Sequence, residues 1–299
     1  MLIATLKNTI RQREVTELNN ASYFKQTNVY FKKVTRIALR EKAWKFIVFA
    51  AIIALIVGLV VSEDMFSNFE RTKSGFFTLA SACIWLGIFN SIQSICKEHD
   101  IIRSEYRQGM NLASYISANV LWQMVLCFVQ AILIYGVCIV FKFFGEDVGK
   151  GVVTSAYVEY FITIFLLIFG SAVMGMMVSS ISGNPTTAMT IMPFVLILQL
   201  IMCGVLFELT GFSETVANIT YSKWGMSAFA STADLNSIEH LMEQQLPDMA
   251  SVIAEQYPPE EAYDAVKSNL LGSWLWCLVI TFVCTIVSIL GLKIKNRDS

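Results

Sequence analysis

The 299-residue sequence predicts an all-α membrane protein with six transmembrane helices. Three observations carry that prediction. Six apolar runs recur along the chain, each close to the roughly 20 residues a helix needs to cross a bilayer. Hydrophobic residues make up 55% of the chain and charged residues 15%, against roughly 25% charged in a soluble domain, and the mean hydropathy is +0.58. A basic, amphipathic segment runs up to Lys45, and the first apolar run, Phe46 to Val61, follows it directly.

Residues 1–43 read as a cytoplasmic N-terminal segment and 44–299 as the membrane domain. Spans are expected near 44–62, 76–95, 118–141, 157–179, 189–208 and 272–292. The fifth is the least regular, with Pro193 inside it and Pro185 just before it; neighbouring helices can satisfy the carbonyl that a proline frees. The first run starts too late and is too long for a cleavable signal peptide.

Orientation follows from Lys and Arg. The N-terminal segment carries ten, the loop after span two adds Lys97, Arg103 and Arg107, and the tail adds Lys293, Lys295 and Arg297. The opposite side holds only Arg71, Lys73, Lys142, Lys150, Lys223 and Lys267. Both termini are therefore expected in the cytoplasm, which an even number of spans also requires.

Three polar pieces lie between or before the spans. In Tyr23 to Lys45, apolar Phe24, Val29, Phe31, Val34, Ile37 and Leu39 interleave with base, which suits a helix lying in the interface or a solvated basic arm. In Cys96 to Asn111 charges alternate in sign, and Ile102 and Tyr106 fall one helical turn apart on one face. That pattern fits a short helix docking on a cytoplasmic protein, or an ordinary polar loop. Leu209 to Leu271 carries nine acidic residues against Lys223 and Lys267. It reads as an extracellular helical cap between spans five and six, with helices over Ile238–Leu246 and Glu260–Leu271, since loops of that length are seldom structureless.

Enzyme chemistry finds no support. His99 and His240 are expected on opposite sides of the membrane. The seven cysteines lack zinc-like spacing and read as buried thiols. Gly145 to Gly151 has one residue too few between its glycines for a P-loop, and Gly151 stands where Ser or Thr is needed. The spans are nearly free of charge: Glu159 and Glu208 sit at outer ends where water is expected to reach them. The amides Gln123, Gln130 and Gln199 read as helix–helix hydrogen-bonding groups or as coordinating groups. An ion-coupled transporter usually needs ionisable groups at mid-membrane, so an energy source is expected elsewhere, on the cytoplasmic face.

At Lys97–Gln123 the sequence resembles ABC-transporter permeases of the ABCG-like, type-two exporter class. The residues that carry this are Lys97-Glu98-His99-Asp100, Arg103-Ser104-Glu105-Tyr106-Arg107 and Ala113-Ser114-Tyr115-Ile116-Ser117. Ser104 separates Arg103 from Glu105, which are adjacent in the family pattern. Ser182 to Met189 resembles the turn before span five, Cys203 to Leu209 the end of that span, and Ile219 to Gly225 with Ala233 to Asn236 an outer re-entrant segment.

The resemblance implies several things. Tyr23–Lys42 would be a connecting helix and Cys96–Gln108 a cytoplasmic coupling helix, with Glu98, Asp100, Arg103, Glu105 and Arg107 facing an ATPase. Val205 and Leu206 match an apolar plug over a cavity between two protomers. Ser91 stands where a family member has an aromatic clamp, so that clamp does not carry over. Expected partners are an ABC ATPase subunit, a second permease protomer and the lipid bilayer, with no nucleic acid. No cofactor is expected on this chain; ATP and magnesium would belong to the ATPase. With too little sequence before span one for an ATPase domain, either the ATPase is a separate subunit or the sequence is a fragment; the starting Met favours a separate subunit in a bacterial plasma membrane. The alternative is a non-transporting sensor or immunity module with a ligand-binding cap.

Overall fold

The computed structural model describes residues 22–61, 66, 69–144, 151–207, 209–237 and 260–297. Those residues are mostly helical, without strands. The helices are α1 (Tyr23–Arg40), α2 (Trp44–Val61), α3 (Phe69–Ser91), α4 (His99–Arg107, preceded by a 3₁₀ turn Cys96–Glu98), α5 (Leu112–Val140), α6 (Ala156–Ile181), α7 (Pro185–Ile201), α8 (Phe212–Ala217), α9 (Tyr221–Ala233) and α10 (Lys267–Arg297).

Among the described residues, five helices are long and apolar enough to span a membrane: α2, α3, α5, α6 and α10. The expected fifth span, α7, has 17 residues and falls short of that length. Its start is well specified: Pro185 occupies the first turn and the Asn184 side chain accepts from the Thr187 amide at 2.8 Å. Pro193 sits inside it. The helix ends at Ile201, and Gly204 then bends the chain at φ +79°. Val205 and Leu206 therefore lie in this bend, beyond the helix that was expected to reach residue 208.

The central helix is α6. Some 78% of its apolar window is buried, against 22% for α2. It packs most extensively on α3 and α10. The α3–α6 contact is made by small residues: a Cβ on Gly87 would lie 2.0 Å from Ser171 Oγ and 2.3 Å from the Ile168 carbonyl oxygen, and one on Gly175 would lie 2.4 Å from Ser91 Oγ. Small residues four apart let two backbones approach, which is how helices pack where lipid removes the hydrophobic drive. At the far end of α3 from Ser91, Phe76 stacks on Phe229 at 5.4 Å, and Phe144 on Tyr160 at 4.3 Å.

Three expectations need correction. Helix α3 begins at Phe69, so Arg71 and Lys73 lie on its first turns and not in a loop; Lys73 pairs with Glu260 at 2.9 Å. Residues 260–271 do not form one helix: a 3₁₀ turn at Glu261–Tyr263 gives way to extended chain before α10 starts at Lys267. Glu159 is not wet. It is 0% exposed, because its carboxylate accepts the amides of Val152, Val153 and Thr154 at 2.7–2.9 Å. The helix expected over Ile238–Leu246, the P-loop-like Gly145–Lys150 and Glu208 lie outside the described residues. Within the described part of residues 209–271, α9 is buried against α3, α6 and α10.

Candidate functional site: a clasped helix at one end of the bundle

The amphipathic pattern of Cys96–Asn111 becomes a helix held on three sides. Its only fully buried side chain within α4 is Ile102, at 1% exposed. Ile102 enters an apolar cluster with Tyr30 of α1, Tyr115 of α5, Met176 of α6 and Leu292 of α10, and Tyr106 packs against the same cluster. The cluster thus joins α4 to four other helices. The chain enters α4 through the Ile95 and Cys96 amides, both donating to Ser179 Oγ of α6 at 3.1 Å.

Charge completes the clasp. Lys33 Nζ of α1 lies 2.5 Å from Glu105 Oε1, each side chain 29% exposed. Tyr115 of α5 donates to Glu98 Oε2 at 3.0 Å. Burial, then the Glu105 carboxylate, pushes the Tyr30 hydroxyl up to about 12, so it stays neutral and serves as packing beside Tyr115, ring centroids 5.9 Å apart. Helix α1 is itself stitched to α5: Tyr23 hydroxyl meets Ser117 Oγ at 2.6 Å, and the Asn111 amide donates to Gln26 Oε1 at 3.1 Å.

The five charged residues expected to face a partner therefore divide. Asp100 and Arg107 are exposed, together with Ile101 and Ser104. Arg103 is half-buried. Glu98 and Glu105 turn inward and hold α4 to α5 and α1. Lys33, on the other half of the clasp, was not singled out from sequence.

The family model for the ABC-2 type transporter matches residues 25–233, from α1 through α9. The chain belongs to the ABC-2 type transporter family. It is a permease component. The chain is also similar to the ABC transporter ATP-binding/permease protein Rv1747 of Mycobacterium tuberculosis, at 23% identity over 235 residues. That match covers 74% of this chain and 27% of the relative, so the permease spans about a quarter of that protein's length.

The other residues expected at a site lie away from the clasp. Ser91 is 0% exposed and donates to the Ala172 carbonyl of α6, inside the chain's own α3–α6 contact. Leu206 is 52% exposed and Val205 half-buried. The amides join helices. Gln130 and Asn90 exchange hydrogen bonds at 2.6 and 3.1 Å. Gln199 of α7, 2% exposed, accepts the Tyr221 and Ser222 amides at 3.0 and 3.2 Å. It supplies the cap for α9, because the Thr220 hydroxyl at that position donates to the Ala217 carbonyl instead. Asn90 was missed in sequence; a lone amide near the end of an apolar run was the available signal.

Proposed function

We propose that this permease is the membrane-spanning subunit of an ATP-driven exporter, paired with a second permease protomer and with a separate ABC ATPase that docks on α4. ATP and magnesium would bind that ATPase, and this chain does no covalent chemistry. The cargo is hydrophobic or amphipathic, a lipid, peptide or drug, and moves outward between protomers. In this reading there are six spans in a bacterial plasma membrane, with both termini cytoplasmic. Helix α7 is the fifth, its length of about 26 Å completed by the bend after Ile201. Val205 and Leu206 close the outer side.

The observation that supports this best is the clasp. A helix with an exposed face of Asp100, Ile101, Ser104 and Arg107 is bound by separate contacts to α1, α5 and α6. A push on that face displaces three elements together, so nucleotide bound by the ATPase can favour one conformer of the bundle. The test is charge reversal in proteoliposomes with the ATPase. Glu105→Lys should reduce cargo-stimulated ATPase activity several-fold while leaving insertion intact, and Lys33→Glu/Glu105→Lys should restore most of it. Unchanged stimulation in Glu105→Lys would count against α4 as the transmitting element.

A further inference from the structure

A pocket of about 380 Å³ opens beside the elbow that joins α1 to α2. Its lining mixes three kinds of side chain. Lys42, Lys45 and Lys97 line it and are all exposed. None of the three makes an ion pair among the described residues. The two acids present are Glu41 and Glu98, and Glu98 already accepts from Tyr115. The lining also holds the buried amides Asn90, Asn119 and Gln123 and the aromatics Phe46, Phe49, Phe89 and Trp122. Phe49 and Phe89 are 59% and 44% exposed, so the aromatic lining continues onto the apolar outer surface.

Gln123 is the decisive residue. It is 3% exposed, and its Oε1 has no hydrogen-bond partner among the described residues. The amide orientation is set by chemistry: Nε2 faces the Asn90 carbonyl at 3.5 Å, which can only accept, so the side chain's own oxygen points elsewhere. A buried acceptor without a donor costs about 1–3 kcal/mol. The group that answers it must bring an O–H or N–H.

We propose that this pocket binds a single-chain phospholipid, a lysophospholipid, from the leaflet at this end of the bundle. Its phosphate meets Lys42, Lys45 and Lys97. The free glycerol hydroxyl next to the phosphate donates to Gln123 Oε1. The acyl chain runs out along Phe49 and Phe89. The ligand's charge, donor and chain each find a counterpart in the lining: lysines, an amide oxygen and aromatics. The volume agrees: at about 30 Å³ per water-sized group the pocket takes on the order of a dozen non-hydrogen atoms, enough for one phosphoglycerol unit and the root of one chain. The assignment rests on the permease reading only in placing this end at lipid head groups.

The test is native mass spectrometry of the full chain released from detergent micelles, titrated with defined lipids. It uses neither ATPase nor transport, so its failure leaves the permease reading standing, and a failed charge swap at Lys33 and Glu105 leaves this one. Acyl lysophosphatidic acid should bind more tightly than a hexadecyl phosphate, which has the charge and chain but no hydroxyl. It should also bind more tightly than glycerol phosphate, which has no chain. Gln123→Leu should erase the first difference alone. Lys45→Gln/Lys97→Gln should weaken binding about thirty-fold, at about 1 kcal/mol per lysine at a membrane surface; both positions are exposed, so the fold is kept. Lys42 is left unchanged because its backbone sits at φ +63°. Equal binding of the two phosphate lipids by the parent chain overturns the proposal. So does binding that Lys45→Gln/Lys97→Gln leaves intact, or glycerol phosphate binding as tightly as the lipid.

Discussion

Replacing Gln199 by Leu removes the acceptor for two buried amides and leaves a side chain of similar size. The Tyr221 and Ser222 N–H groups then face no partner at the first turn of α9, whose own cap residue is turned away. Each orphaned buried donor costs about 1–3 kcal/mol, or about 2–6 together. Leucine returns about 1–2 kcal/mol through added apolar burial. The net loss is about 1–4 kcal/mol. For a chain of this size that is a fall on the order of 5–10 °C in melting temperature, measured on the detergent-solubilised protein by the exposure of its buried cysteines to a thiol-reactive dye. Gln199→Glu keeps both acceptor positions and places negative charge at a helix N-terminus, where it is favoured; it should keep α9 seated. The reasoning fails if Gln199→Leu melts within about 1 °C of the parent, or if the Glu variant is the less stable of the two.

Three other variants probe the packing and the proposed outer seal. Gly87→Ala should destabilise the bundle by about 1–3 kcal/mol in the same melting assay, because the new methyl meets the Ile168 carbonyl oxygen at 2.3 Å. Gly136→Ala, with nothing within 4 Å of its added methyl, should be neutral, and equal effects would refute the close approach. Leu206→Cys should cross-link between protomers in the nucleotide-free state, and absence of cross-links in every nucleotide state would move the gate away from the bend after α7.

Hydropathy made the bundle readable, since an apolar run in water-free surroundings has few choices other than a helix. Where α7 stops was not readable, because Gly204 carries no signal of its positive φ until the chain is built. The clasp was half legible. The shared face of Ile102 and Tyr106 follows from helical spacing, and both join one cluster. That Glu105 points inward does not follow, because its partner Lys33 lies 72 residues away. Mixed charge on a short helix reads the same whether it meets another protein or its own chain. Glu159 misled for a related reason. A carboxylate at a span end needs water only when nothing else donates to it, and here three consecutive backbone amides do.

Helix α7 is capped at its start by Asn184, packs into the core through Ala188, Met192 and Leu196, and is joined to α9 by Gln199 near its end. Pro193 withdraws the N–H that would tie down the Met189 carbonyl. Mechanically it is a rod with one missing internal brace, so bending collects at that level. Met189 also lines the pocket beside the α1–α2 elbow. Whatever occupies that pocket touches the helix where its internal bonding is weakest, near the end of α7 opposite to Val205 and Leu206.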